Sequence, residues 1–280
     1  MNILVTTPNG KVGFQVVKNL IANSISVRVA VHRPESAKAF EGLNVELILM
    51  DYDNQSSLEK AVQGIDGLYL AFDSTQEANA PKYLIDAAQK AGVKRIVMLS
   101  AKGVENSETS LWQVEEHLRA SGLESTVLRP TWFFQNFNTG QQYYIKNMNA
   151  IIEASADAKT SFIDTRDIAA IASKALLEDG HQGKAYILTG ATAHDRAEVA
   201  TAISQVTGKT ITYVAQTDAE FRAQATQEQW DVARIETLSW LYGFVRNGWT
   251  ADTTNTVQEL LGRAPIGLEQ YTQDYKDAWL

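Results

Sequence analysis

The chain has 280 residues, a formal net charge of −8, no cysteine and four scattered histidines, so it has ample length for a large core. Disulfides, thiolate zinc sites and cysteine nucleophiles are excluded, and His32, His117, His181 and His194 show no metal-ligand spacing, so no metal is expected. An acidic chain without a basic tract repels a phosphate backbone, so direct nucleic-acid binding is not expected. Met1 leads straight into an apolar strand and no apolar run nears the ~18 residues of a membrane span, so neither a signal peptide nor a membrane segment is expected. The expected compartment is the cytoplasm.

Asn2 to Thr6 is an apolar run suited to a buried parallel strand. Thr7 to Gly13 reads as a tight turn, Phe14 to Ala22 carries helical periodicity, and Val27 to Val31 supplies a second strand ending at His32-Arg33. Strands are predicted at 2–6, 26–31, 45–49, 67–72, 95–99 and 125–129, and helices at 11–22, 35–40, 55–63, 78–91 and 110–121. Asp53 is the expected N-cap of the helix over 55–63, and Gly92 and Gly122 close two later helices. Alternation at this spacing predicts right-handed βαβ crossovers, and with them an α/β fold with a Rossmann-type doubly wound parallel sheet.

Beyond residue 135 the pattern changes. Phe133 to Ile152 is rich in aromatic and amide side chains, and Ser161 to Ile163 looks like a short strand. Asp167 is the expected cap of a helix over 168–177, followed by a strand at 184–188 and a helix at 196–207. The segment 218–261 is helical in character and carries Trp230, Trp240, Tyr242, Phe244 and Trp249, the first three expected in a core. The predicted division is a nucleotide-binding domain over 1–135 and a smaller α/β C-terminal lobe over 136–280 that covers the cleft, with segments around 160–177 packing back on the first lobe.

A strand that feeds a Gly-containing turn and a helix places free backbone N–H groups at the positive end of a helix dipole, where a pyrophosphate can sit. Gly10 and Gly13 occupy two fingerprint positions, but the first slot holds Thr7, followed by Pro8. A β-branched residue disfavours the backbone geometry a glycine permits there, and Asn9-Gly10 is the expected alternative place for the left-handed step. If Thr7 strains the turn, Thr7→Gly is expected to tighten cofactor binding. Arg33 ends the second strand where NAD-preferring sites carry an acid, so NADP(H) is favoured over NAD(H), with Lys11 as a second positive charge. The plainer readings are a bare βα turn and a solvated arginine.

The chain resembles the NmrA-like, atypical branch of the short-chain dehydrogenases/reductases nearly end to end. The resemblance rests on Ile3-Leu4-Val5-Thr6 with Gly10-Lys11-Val12-Gly13, on Val31-His32-Arg33-Pro34, on Asp51-Tyr52-Asp53, and on Leu84 to Ala88 with Ala91 to Lys94. It continues in Ser121-Gly122-Leu123, Leu128-Arg129-Pro130 with Trp132-Phe133 and Asn136, Phe162-Ile163-Asp164 with Arg166 to Ala169, and Leu261-Gly262-Arg263 with Pro265. Within the family the chain looks most like bacterial NAD(P)H-dependent quinone, azo-dye and triphenylmethane-dye reductases. The resemblance implies that Thr7, Pro8, Asn9, Gly10, Lys11 and Val12 line the pyrophosphate and Arg33 the 2′-phosphate. It places Phe72, Asp73 and Ser74 beside the adenosine half, and Leu99-Ser100 with Pro130, Thr131 and Trp132 beside the nicotinamide.

Typical short-chain dehydrogenases pair a tyrosine with a lysine four residues later, but alignment on the family puts Ser107 and Leu111 at those positions. No catalytic acid is identified. Quinones, azo compounds and conjugated dyes accept hydride directly and need mainly orientation and a dry apolar slot. Trp132, Phe133, Phe134 and Asn136 are the expected pocket residues, with Phe137, Tyr143 and Tyr144 nearby, although the same aromatic run reads equally well as core. Glu115 and Glu116 are expected to face solvent. The expected function is NADPH-dependent reduction of a small aromatic or quinone-like substrate. The alternative is a non-catalytic NADP(H)-sensing regulator, and a protein partner belongs to that alternative alone. A monomer and a homodimer both fit the sequence.

Overall fold

The computed structural model describes the chain except residues 74–76 and 106. In chain order the elements are β1 (Asn2–Val5), α1 (Gly13–Ala22), β2 (Ser26–Val31), β3 (Glu46–Leu49), α2 (Gln55–Ala61), β4 (Gly67–Leu70), α3 (Asn79–Lys90), β5 (Arg95–Leu99), α4 (Ser110–Ala120) and β6 (Glu124–Pro130). They continue with α5 (Gln142–Met148), β7 (Ala150–Glu153), α6 (Thr165–Leu177), β8 (Lys184–Leu188), α7 (Arg196–Thr207), β9 (Thr212–Ala215), α8 (Asp218–Gln227), α9 (Val232–Arg246), α10 (Thr256–Leu261) and α11 (Leu268–Tyr275).

Seven strands form one parallel sheet in the order β3-β2-β1-β4-β5-β6-β8. The chain winds outward from β1 to β3, then returns past β1 to β4. This reversal is the switch point at which doubly wound sheets open a crevice at the carboxyl ends of their strands. β1 and β4 are continuous apolar runs because helices cover both faces of the sheet. Leu4, Leu68, Leu70, Ile96 and Met98 pack on one face against Leu58, Leu84 and Leu118.

The chain divides into two compact units, Met1–Pro130 with Thr165–Leu188, and Thr131–Asp164 with Thr189–Leu280. The first crossing therefore falls directly after β6 rather than at residue 135. The second unit contains the short parallel pair β7-β9. Its core joins Phe134, Phe137, Phe162, Ile203, Tyr271 and Trp279, and the Trp279 indole donates to the Phe137 carbonyl at 3.0 Å.

Several local expectations need correction. Asn54, not Asp53, caps α2, accepting from the Ser57 amide at 3.3 Å, while the Asp53 amide donates to Asp51 at 3.0 Å. Asx side chains at either position can close such a turn, and sequence does not choose between them. Ser161 to Ile163 is not a strand; isolated bridges join Phe133 to Ile163 and Thr160 to His194. α6 begins at Thr165, with Asp167 in its first turn, where a carboxylate meets the helix dipole as favourably as a cap does. Tyr242 is buried, but Trp240 is 49% exposed, so it does not share the core role expected for it.

Candidate functional site

The turn after β1 is built around one carbonyl. Thr6 is fully buried and anchors the end of β1 to the chain beyond β4, its hydroxyl donating to the Ala71 carbonyl at 2.7 Å and accepting from the Ala71 amide at 2.8 Å. The Gly10 amide then donates to the Thr7 carbonyl at 2.9 Å, and the Phe14 amide to the Gly10 carbonyl at 3.0 Å. A Cβ on Gly13 would stand 2.3 Å from the Thr7 oxygen, and one on Gly10 would stand 3.1 Å from the same atom. Gly13 is therefore required by backbone contact, as a helix packed tightly on its own turn demands. The left-handed step falls on Thr7 itself, at φ +43°, and not at Asn9-Gly10 as expected. For a β-branched residue that conformation costs about 1–2 kcal/mol. Thr7, Asn9, Gly10 and Lys11 are exposed, whereas Pro8 and Val12 are buried.

Arg33 leaves β2 in an extended conformation and opens a 3-10 turn over Pro34–Phe40. It is exposed, and its guanidinium makes no hydrogen bond or ion pair among the described residues. Two contacts hold its segment beside the turn: Asn9 Nδ2 donates to the Ser36 carbonyl at 3.1 Å, and the Phe14 and Phe40 rings meet at 5.9 Å. Phe72 is half-buried against the core and Asp73 is exposed. Ser74 lies outside the described residues.

Ser100 follows β5 and is buried, but its surroundings differ from expectation. Glu115 does not face solvent; it is 1% exposed. The Ser100 hydroxyl donates to its carboxylate, and Arg129 grips it through Nε at 3.2 Å and Nη2 at 2.5 Å. Arg129 Nη1 also donates to Glu105 at 2.9 Å, and its guanidinium lies 5.6 Å from the centre of the Trp112 ring. A readable signal existed. Glu115 shares the α4 face of Leu111 and Leu118 at helical spacing, and Arg129 follows the apolar pair Val127-Leu128 in β6. A carboxylate on an apolar stripe and a guanidinium in a buried strand call for each other. Glu116, the neighbouring acid, does stay exposed, paired with Arg119. Ser107 donates to the Val104 carbonyl at 2.6 Å, and Leu111 packs on the core.

The second unit begins at Thr131, whose hydroxyl donates to the Ser161 carbonyl at 2.5 Å. Trp132 and Phe133 are half-buried, as is Asn136, whose carbonyl accepts from the Gln141 amide at 3.0 Å. Phe134 and Phe137 are core residues: Phe134 stacks on Phe162 at 5.5 Å and Tyr271 at 5.0 Å, and Phe137 meets Phe162 edge-on at 5.1 Å. Tyr143 is exposed, whereas Tyr144 is buried and donates to Glu228 at 2.7 Å. Burial first, and then Glu228, push the Tyr144 phenol up to about 12. Trp132 stacks on Tyr242 at 5.4 Å. Tyr242 also lines a small pocket in this unit with Tyr144, Phe221, Trp230 and Glu228. Sequence reasoning missed Arg196. It is fully buried, bonded to Glu153 at 2.8 Å and to the Thr160 hydroxyl at 2.7 Å, with its guanidinium 5.7 Å from the Trp132 ring.

Among the described residues no cluster of three or more His, Cys, Asp or Glu is arranged to hold a metal ion, and no helix is long and apolar enough to cross a membrane. What the first unit offers is a glycine turn at a helix N-terminus, on the switch edge of a parallel sheet. These are the features of a dinucleotide-binding α/β protein.

The profile of the NmrA-like family matches residues 1–238, and the chain belongs to that family. The chain is 29% identical over 286 residues to the NAD(P)H azoreductase of Xenophilus azovorans, covering 99% of each chain. It is 27% identical over 290 residues to the agroclavine dehydrogenase of Claviceps fusiformis, covering 100% of this chain and 99% of that one. Among solved structures it matches an NADPH-dependent quinone oxidoreductase from Escherichia coli complexed with NADPH. That match has a TM-score of 0.85 at 25% identity, over 98% of this chain and 99% of the other.

Proposed function

We propose that this protein is an NAD(P)H-dependent oxidoreductase that uses NADPH to reduce quinone-like, azo or other conjugated aromatic acceptors. The observation that carries the reading is the turn closed on the Thr7 carbonyl, where Gly13 leaves no room for a Cβ and exposed Arg33, with no ion pair among the described residues, follows the neighbouring strand. Glycines that let backbone close in, a helix N-terminus and an exposed guanidinium suit a diphosphate and a 2′-phosphate. The oxidoreductase relatives support the same reading.

A bound nicotinamide supplies the hydride. The chain's own part is to bind, orient and keep the acceptor dry. Thr7 to Val12 would seat the diphosphate and Arg33 would pair with the 2′-phosphate. With Ser107 and Leu111 where a tyrosine and lysine stand in typical short-chain dehydrogenases, the acceptor's reduced form takes its proton from water. The Ser100 hydroxyl directs its hydrogen bond to Glu115, and no acid role is assigned to it.

Calorimetric titration and steady-state assays test this reading. The expected result is tight NADPH binding, weaker NADH binding, and turnover with a quinone or azo acceptor. Arg33→Ala is expected to weaken NADPH by about tenfold or more, the worth of a charge-assisted contact, with NADH changed less than about twofold. Equal losses for both cofactors would remove Arg33 as the 2′-phosphate ligand. Binding of NADPH without turnover of any acceptor would favour a sensor over an enzyme.

A further inference from the structure

The turn departs from a glycine-rich pattern at two neighbouring positions, Thr7 and Pro8. Pro8 has no N–H, so the turn presents one backbone donor fewer to an anion than any other residue there would allow. The Gly10 amide is also committed, because it closes the turn on the Thr7 carbonyl at 2.9 Å. Thr7 is exposed, and its hydroxyl makes no hydrogen bond among the described residues. The residue nonetheless sits at φ +43°, in a region that β-branched side chains avoid. No described contact in the fold uses the Thr7 side chain in return for that conformation. Backbone strain of this kind persists where a site needs the residue.

We propose that the Thr7 hydroxyl is a ligand contact that donates to a diphosphate oxygen of the dinucleotide, replacing the amide donor that Pro8 lacks. Thr7 and Pro8 are then a compensated pair. This inference rests on the reading of the turn as a dinucleotide site. It also revises the expectation for Thr7→Gly. Strain present both with and without ligand cancels from the affinity, so glycine at this position stabilises the fold but removes a donor from the site.

The test uses the full chain, with thermal unfolding measured without ligand and NADPH affinity measured by calorimetry. Thr7→Gly is expected to raise Tm by about 2–4 °C, as relief of backbone strain does in a chain of this size, and to weaken NADPH by about tenfold. Thr7→Val keeps the shape and the strain, so it should weaken NADPH similarly without the gain in Tm. Thr7→Ser should stay within about threefold of the parent. The double variant Thr7→Gly/Pro8→Ala restores a backbone donor and should recover most of the affinity, a non-additive result that identifies the pair. If Thr7→Val and Thr7→Gly bind NADPH as tightly as a binding parent chain, the Thr7 contact is overturned while the dinucleotide site stands. A parent chain that binds no NADPH overturns both.

Discussion

Arg129 in the first unit and Arg196 in the second are both cations withdrawn from water against a glutamate, yet their surroundings differ. Arg129 is shared between Glu115 and Glu105, and Ser100 also donates to Glu115. Its side chain keeps 11% of its exposure. Arg196 has one carboxylate, Glu153, and both side chains are almost wholly buried. Among the described residues its other partners are the Thr160 hydroxyl, the Ala158 carbonyl at 3.4 Å and the rings of Phe162 and Trp132, while Nη2 makes no hydrogen bond there. The first network is redundant and borders the strand ends where a cofactor is proposed to lie. The second is a single pair that holds a core together. A buried charge is costly chiefly when its partner is removed, so redundancy decides how each unit tolerates change.

The largest expected effect follows from breaking the isolated pair. Glu153→Ala leaves Arg196 buried without a counter-charge and should destabilise the protein by about 3–5 kcal/mol in denaturant unfolding. Replacing both partners, as in Glu153→Leu with Arg196→Met, should recover much of that loss, because the charge is removed together with its need. Glu115→Ala should cost less, about 2–3 kcal/mol, since Glu105 remains on Arg129. Equal losses for Glu153→Ala and Glu115→Ala would erase the distinction between the two networks. Ser100→Ala removes one donor from an acceptor that keeps its arginine, and about 1 kcal/mol is expected by the same measurement.

The smallest effect is in pH. Burial, and then the charge of Lys174, hold the His181 imidazole below its ordinary value, while its Nδ1 lies 2.9 Å from the Tyr186 hydroxyl. Because the folded protein favours the neutral ring, this contribution is full above the unfolded value of about 6.5 and is lost as pH falls below it. Tm measured from pH 7.5 to about 5 should therefore fall less steeply in His181→Gln than in the parent. Identical slopes would show that His181 does not contribute.

The first unit was legible because parallel strands covered on both faces must be apolar along their whole length, and the glycines between them mark the turns. β1, α1 and β2 stand close to where periodicity put them, although β2 ends at Val31, two residues before Arg33. β7 and β9 escaped because four residues give little periodicity, and their partner lies far along the chain. Among the candidate site residues, composition could not separate Phe134 and Phe137, which the core consumes, from Trp132 and Phe133, which remain half-exposed.

The amino-acid sequence alone determined the strand–turn–helix opening, the absence of cysteine and the cation that follows β2. Each of these is a matter of residue type or of spacing within a few residues. Tertiary structure decided that Glu115 is buried, that Arg196 organises the second core and that the left-handed step falls on Thr7. The first two depend on partners 14 and 43 residues away in the chain. The third depends on Gly13 closing against the Thr7 carbonyl. Local signals carry backbone preference, but whether a charge can be buried or a strained residue held is set by what the rest of the fold brings against it.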